Sequence, residues 1–272
     1  MVVQEFLDLF MKELEINGDL RRYYRLLNNK NRLLWRKAYL EQRLDYVNRQ
    51  VGAAPGKIWD VGCGYATTAI FLTLNGYQVL GTTLEFYYDK IGRRLDYWSK
   101  FGNINNFRVE YANLFDMPDM PQQFDVVVAQ DALHHLEPVQ MAVNILRASL
   151  KDGGRLVVTE ENGHHAFIIL RNFSQRGFNR VTEYYDERLQ KTILFGNENA
   201  RGLSAWRRIF KKSGLIIAEN DLEYIRIIPP FCYTGKNYHR LNEWEKSAGK
   251  KWPFLREILS FGINFTAFKT TR

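Results

Sequence analysis

Asp60-Val61-Gly62-Cys63-Gly64 places a carboxylate just ahead of two glycines, at the end of an apolar run that begins at Ile58. Glycines at such a turn let the backbone approach a ligand with no Cβ in the way. Asp60 can organise the turn and meet a cationic ligand, directly or through water. A dinucleotide fingerprint would need a third glycine where this chain has Thr67, so a nicotinamide cofactor is disfavoured. Further on, His134 and His135 follow one apolar run, and Glu160, Glu161, His164 and His165 follow another. A base at either place could take a proton from an acceptor hydroxyl or ammonium. His134 and His135 read equally as loop histidines bonded to backbone. His164 and His165 lack the carboxylate constellation of a metal centre, and no metal is expected.

These residues need elements to hold them. Short β-branched or apolar runs at Ile58 to Val61, Gln78 to Thr82, Phe107 to Tyr111, Phe124 to Ala129 and Arg155 to Glu160 read as strands. Helical patterns lie between them at Ala66 to Leu74, Phe86 to Phe101 and Val139 to Leu150, with Gly76, Gly102 and Gly153 near their ends. That alternation builds a parallel sheet. A helix at Ser204 to Ser213, a strand-like run at Leu215 to Ile228 and a last strand at Ile263 to Lys269 complete the pattern. Residues 1–52 read as helical, broken at Gly18 and closed by Gly52-Ala53-Ala54-Pro55-Gly56; a core domain spans 57–272.

At 272 residues, 46% hydrophobic and 25% charged, the chain can bury a sizeable core. No apolar run reaches the ~18 residues of a membrane span, and Met1 to Ile16 carries Glu5, Asp8, Glu13 and Glu15 where a secretory signal would be basic then apolar. With only Cys63 and Cys232, neither a disulfide framework nor a four-cysteine zinc site can form, and a reducing cytoplasm is the expected compartment. The net charge of +8 favours acidic partners. Much of it lies between Leu20 and Arg49, in Arg21, Arg22, Arg25, Lys30, Arg32, Arg36, Lys37, Arg43 and Arg49, a segment that reads first as a solvated helical face.

The motifs arrive in a familiar order. Asp60-Val61-Gly62-Cys63-Gly64 resembles the first motif of class I S-adenosylmethionine-dependent methyltransferases. Phe124 to Leu136 resembles that family's fourth-strand signature, and Leu146 to Val158 its following helix, turn and fifth strand. The resemblance covers Lys57 to Glu160 well and the last helix and strands loosely. It implies an α/β, Rossmann-like, seven-stranded and mostly parallel sheet, its last strand antiparallel, with S-adenosyl-L-methionine across the carboxyl ends of the first strands. The cofactor residues it implies are Asp60, Gly62, Cys63, Gly64, Thr83, Glu85, Asn113, Leu114 and Gln130. Thr83 replaces the usual ribose-binding acid, as in the cyclopropane-fatty-acid-synthase-like branch; its hydroxyl or the Glu85 carboxylate would serve instead. Asn113 replaces the usual Asp that accepts from the adenine amino group, with the Leu114 amide donating to a ring nitrogen.

Catalytic candidates are His135, Glu160 and His164. His135 resembles in position a histidine of phosphoethanolamine methyltransferases that works with a lid tyrosine; Tyr23, Tyr24 and Tyr39 lie in the corresponding lid, residues 1–52. Insertions at about 163–203 and 229–261 read as a substrate cap, because both are long and rich in aromatics, among them Phe167, Phe173, Phe178, Trp244, Trp252 and Phe254. The leading function is methyl transfer to an O, N or C atom of a small-molecule acceptor, lipid-like or anionic. Two alternatives remain open. One is an RNA-modifying enzyme, disfavoured because Gln130-Asp131-Ala132-Leu133 lacks the base-stacking Asn/Asp-Pro-Pro-aromatic turn. The other is a cofactor-binding regulatory protein without turnover.

Overall fold

Phe6, Leu7, Phe10 and Leu14 recur three and four apart and are all buried, which fixes one apolar face on the first helix. The computed structural model describes residues 1–24, 30–52, 56–251 and 253–270, leaving out side chains at 30–32, 246, 249–251 and 253–255. Expectations for Arg25, Ala53-Ala54-Pro55 and Trp252, and for the side chains of Lys30, Arg32 and Phe254, lie outside the described residues. That first helix is α1 (Val3–Ile16); α2 (Gly18–Tyr24) and α3 (Lys30–Val51) follow. The break falls at Asn17, one residue before the expected Gly18: Asn17 is extended, and its side-chain oxygen accepts the Leu20 N–H at 3.1 Å, so it caps α2.

The core runs β1 (Lys57–Val61), α4 (Thr67–Leu74), β2 (Gln78–Thr83), α5 (Ile91–Trp98), β3 (Phe107–Tyr111), β4 (Phe124–Gln130), α6 (Val139–Ser149) and β5 (Leu150–Glu161). Next come α7 (Ala166–Arg176), the hairpin β6 (Val181–Asp186) and β7 (Lys191–Gly196), and α8 (Leu203–Lys212). The chain ends with β8 (Leu215–Ile217), β9 (Glu223–Ile225), α9 (Tyr238–Lys251), α10 (Pro253–Leu259) and β10 (Gly262–Lys269). The main sheet has the order β3-β2-β1-β4-β5-β10-β8, and β9 also pairs with β10. The first five strands are parallel to their neighbours, whereas β10 is antiparallel to β5, β8 and β9.

Eight strands replace the expected seven because the run from Leu215 to Ile228 is two short strands, interrupted by a helical turn at Glu219–Asp221. The β4–β5 register jumps from Phe124 opposite Leu150 to Val126 opposite Arg155. Gly153, expected near a helix end, lies in that irregular stretch with φ +75°, a conformation that suits glycine.

Both faces of the sheet are covered, as a parallel sheet requires. Ile58, Val79, Val126 and Val128 face α1 and α4, while Trp59, Val61, Val127 and Ala129 face α6 and α8. Thus α1 belongs to the core, and of the three N-terminal helices α2 and α3 reach over the carboxyl edge. Fully buried Arg94 on α5 locks this arrangement: it donates twice to Glu13 on α1 at 2.8 Å and to Thr67 on α4 at 2.9 Å.

Candidate active site

A cavity of about 800 Å³ opens at the carboxyl edge, lined by the β1–α4 turn, the end of β4, α2, α3 and the segment after β9. Asp60, Gly62, Cys63, Gly64 and Gln130 all line it. The glycines are required by space and by backbone alike. A Cβ on Gly62 would lie 2.7 Å from that of Ala132, one on Gly64 would strike the Tyr23 hydroxyl, and both glycines have positive φ. Asp60 is 1% exposed, and its Oδ2 has no hydrogen-bond partner. Burial raises its pKa to about 7. Burial also raises the Cys63 thiol, so it stays protonated. Gln130 is fixed by the Thr68 hydroxyl, which donates to its carbonyl at 2.6 Å.

Thr83, Glu85, Asn113 and Leu114 sit at the ends of β2 and β3, on the same sheet edge but not among the residues lining this cavity. The Thr83 hydroxyl oxygen accepts the Glu85 N–H at 3.0 Å, and burial pushes the Glu85 carboxyl up. The Asn113 carbonyl caps the following turn by accepting from Phe115 N–H, and its amide donates to Asp116 at 2.7 Å. Leu114 is buried against the α6 side of the sheet.

The three catalytic candidates are all engaged elsewhere. Glu160 is fully buried, accepting the Leu133 N–H at 2.7 Å and bonding His134 Nδ1 at 2.5 Å. Successive residues on a strand face opposite ways, so its neighbour Glu161 is the one that lines the cavity. Burial opposes charge on His134, but the Glu160 carboxylate prevails and raises its pKa to about 9. His135 packs on the Phe195 ring at 4.4 Å, and its Nδ1–H donates to the Gly196 carbonyl at 3.0 Å, which ties it to the β6–β7 hairpin. Burial and the charge of His134 hold it below the ordinary histidine range. His164 packs against Gly202 and bonds Glu257 on α10 at 2.7 Å. Asp131, His134 and Glu160 bring potential metal-ligand atoms within 4.8 Å, but these are committed to Arg43, Leu133 and one another.

Tyr23, Tyr24 and Tyr39, expected in the lid, all reach the cavity, and Trp35, Arg171 and Arg226, which the sequence did not single out, line it too. The Tyr24 hydroxyl donates to Thr67 at 2.5 Å, and the Tyr39 ring lies 4.0 Å from the Arg43 guanidinium. Arg43 grips Asp131 with both terminal nitrogens, and Arg171 on α7 pairs with Glu161. The expected solvated basic face is largely paired: Arg22 with Asp19, Lys37 with Asp8 and Arg49 with Glu223. Of the aromatics in the two insertions, Phe167 and Phe261 line the cavity, while Phe173, Phe178 and Trp244 are exposed. The hairpin closes the far edge of the sheet, where Tyr111 donates to Asp186 at 2.7 Å and Arg188 pairs with Asp89.

This architecture has counterparts. Residues 59–158 match the family described as a methyltransferase domain. The chain is 27% identical over 128 residues to a ubiquinone biosynthesis O-methyltransferase of Xylella fastidiosa (strain M23), covering 47% of this chain and 51% of that protein. It is 30% identical over 117 residues to a sterol 24-C-methyltransferase of Gibberella zeae, covering 42% of this chain and 30% of the relative. The chain therefore spans about half the length, or less, of these curated relatives. Among solved structures, the phosphoethanolamine N-methyltransferase 2 of Haemonchus contortus in complex with S-adenosyl-L-methionine aligns with a TM-score of 0.57 at 16% identity, over 92% of this chain and 60% of that one. At that identity the likeness speaks for the fold.

Proposed function

We propose, from the match of residues 59–158 to a methyltransferase domain, that this chain is a class I S-adenosylmethionine-dependent enzyme that transfers a methyl group to a small-molecule acceptor at O, N or C. The observation that carries the reading is the unpartnered, buried Asp60 oxygen beside a glycine turn into which no Cβ fits. A carboxylate in that place suits a cationic ligand. When bound, S-adenosylmethionine supplies a sulfonium methyl open to in-line displacement. The chain's main work is then to align the acceptor and keep water out. Asp60, Gly62, Cys63, Gly64 and Gln130 hold the cofactor, with Thr83 and Glu85 serving its ribose from the end of β2. The roof comes from Tyr23, Tyr24 and Tyr39 of α2 and α3 and from Phe167 and Phe261 of the two insertions.

Where the acceptor is a hydroxyl or an ammonium, Glu161 takes its proton; it lines the cavity at the end of β5, with Arg171 holding its carboxylate in place. Calorimetry with S-adenosylmethionine and its demethylated product tests the cofactor half of the proposal, and absence of heat at high micromolar ligand rejects it. Mass spectrometry of cell metabolites with and without the gene should reveal pairs separated by one methyl group. With such an acceptor in hand, Glu161→Gln is expected to lower turnover about 100-fold at unchanged cofactor affinity.

A further inference from the structure

The cavity wall contains four arginines and three acids: Arg36, Arg43, Arg171 and Arg226 against Asp60, Asp131 and Glu161. Arg43 is paired with Asp131 and Arg171 with Glu161, while Arg36 donates to the Tyr24 carbonyl at 3.1 Å. Arg226 differs. Its guanidinium lies 3.5 Å from the Trp35 ring centre, 3.9 Å from that of Tyr39 and 5.0 Å from that of Phe261. Among the described residues it has no carboxylate partner, and its Nε is buried without a hydrogen bond. Aromatic stacking covers the faces of a guanidinium and leaves the in-plane N–H edge open, which is the edge that forks onto a carboxylate or phosphate.

The position is built, and does not arise from a side chain swinging freely. Arg226 follows β9 directly and holds φ +61°, a strained value for a side-chain-bearing residue. Its carbonyl accepts the Phe261 N–H at 3.2 Å. Two residues on, Trp35 donates to the Ile228 carbonyl at 2.9 Å, and the Ile228 N–H donates to Glu245 at 2.6 Å. Glu245 is itself buried and held by Gln42 and Tyr233, each at 2.8 Å. Partly burying a guanidinium with no carboxylate in contact is costly, and that desolvation depresses the pKa of Arg226.

We infer that Arg226, stacked on Trp35 and Tyr39 with its donor edge toward the cavity, is the anchor for an anionic group, a carboxylate or phosphate, on the acceptor. The inference rests on the methyl-transfer reading for the word acceptor alone; the anion site itself does not. Two unmatched charges then share the cavity, Asp60 for the cofactor's positive charge and Arg226 for the acceptor's negative one.

The test titrates the full-length protein, with and without saturating S-adenosylhomocysteine, with benzoate, phenyl phosphate and neutral benzyl alcohol. The two anions distinguish the carboxylate from the phosphate source. At least one should bind more tightly than benzyl alcohol. Arg226→Met should weaken it about 10- to 100-fold, with Arg226→Lys between the two and the affinity for S-adenosylhomocysteine unchanged. Equal binding of the alcohol, equal anion affinity in Arg226→Met, or no anion binding to either form would overturn the inference. A thermal melt of each variant separates loss of the site from loss of the fold. Absence of S-adenosylhomocysteine binding would instead count against the methyl-transfer reading, with the anion arm still readable on the free protein.

Discussion

The two ends of the cavity are made in different ways. At the Asp60 end, most of the lining atoms come from one short stretch, Asp60 to Thr68, joined by Gln130 at the end of β4 and braced from beneath by the buried Glu13–Arg94–Thr67 network. At the Arg226 end, Trp35, Tyr39, Arg226 and Phe261 arrive from α3, the segment after β9 and the segment before β10, and are held by stacking and loop hydrogen bonds. A local turn backed by a buried ion pair makes a fixed receptor. A wall assembled from distant segments can change with the acceptor while the turn stays the same.

The sharpest test of that contrast removes the brace. Glu13→Ala leaves Arg94 buried without its carboxylate and is expected to cost about 3–5 kcal/mol in urea denaturation. Arg49→Ala breaks the half-exposed pair with Glu223 on β9, next to the other end, and should cost no more than about 1 kcal/mol. Equal losses would mean that the two ends are equally braced. A Glu13→Leu, Arg94→Met double variant should recover most of the first loss, because the penalty comes from stranding one charge.

Asp60→Asn follows in size. It removes the carboxylate and should weaken S-adenosylmethionine binding at least about 100-fold, while Arg226→Met leaves that binding intact. Its effect on stability runs the other way. Burial raises the native Asp60 carboxyl to about 7 from its ordinary value of 3.8, so the native state holds this proton more tightly than the unfolded chain does. Stability from this group is therefore present at low pH and lost as pH rises through about 7. Above that pH the Asn variant should melt higher than wild type while binding worse, readable in paired melts and titrations at pH 8. The same titration predicts that wild-type cofactor affinity climbs up to about tenfold per pH unit below 7 and levels off above it, a slope absent in Asp60→Asn. His134 has the same sign among the buried groups but a different cause, the Glu160 carboxylate: its native pKa of about 9 stabilises the fold fully below its ordinary value near 6.5, and that contribution fades as pH rises toward 9.

The same division governs what could be read from sequence. The β1 turn and its glycines rest on contiguous patterns, and the match to Gln78 to Thr82 and Phe107 to Tyr111 is close because the first is a nearly buried run and the second, at the sheet edge, alternates apolar and charged residues. At Glu160 and Glu161 the strand was legible but its parity was not, since which of two adjacent carboxylates faces a ligand depends on which face the helices cover. Arg226 was out of reach altogether. Nothing local distinguishes it, and its meaning comes from rings 191, 187 and 35 positions away in sequence. Asn113 shows a nearer kind of coupling: the turn after β3 uses both ends of its side chain.

His135 offers the smallest effect and the cleanest discrimination. Its place after β4 suits a base, and a catalytic role would make His135→Ala lower turnover by two orders of magnitude or more. The structure instead seats the ring on Phe195 and spends Nδ1–H on the Gly196 carbonyl, with Nε2 3.9 Å from Glu198. All three partners belong to the hairpin insertion and the loop after it, so the side chain serves as a peg between β4 and β6–β7. Loss of one hydrogen bond and a ring contact should cost about 1–2 kcal/mol in stability and change turnover by no more than about threefold. His135→Gln can still donate to a carbonyl and should recover part of the stability. A turnover loss that Gln does not rescue, at unchanged stability, would move the proton-accepting group from Glu161 to the hairpin side, and the cavity's two-ended description would need a third pole.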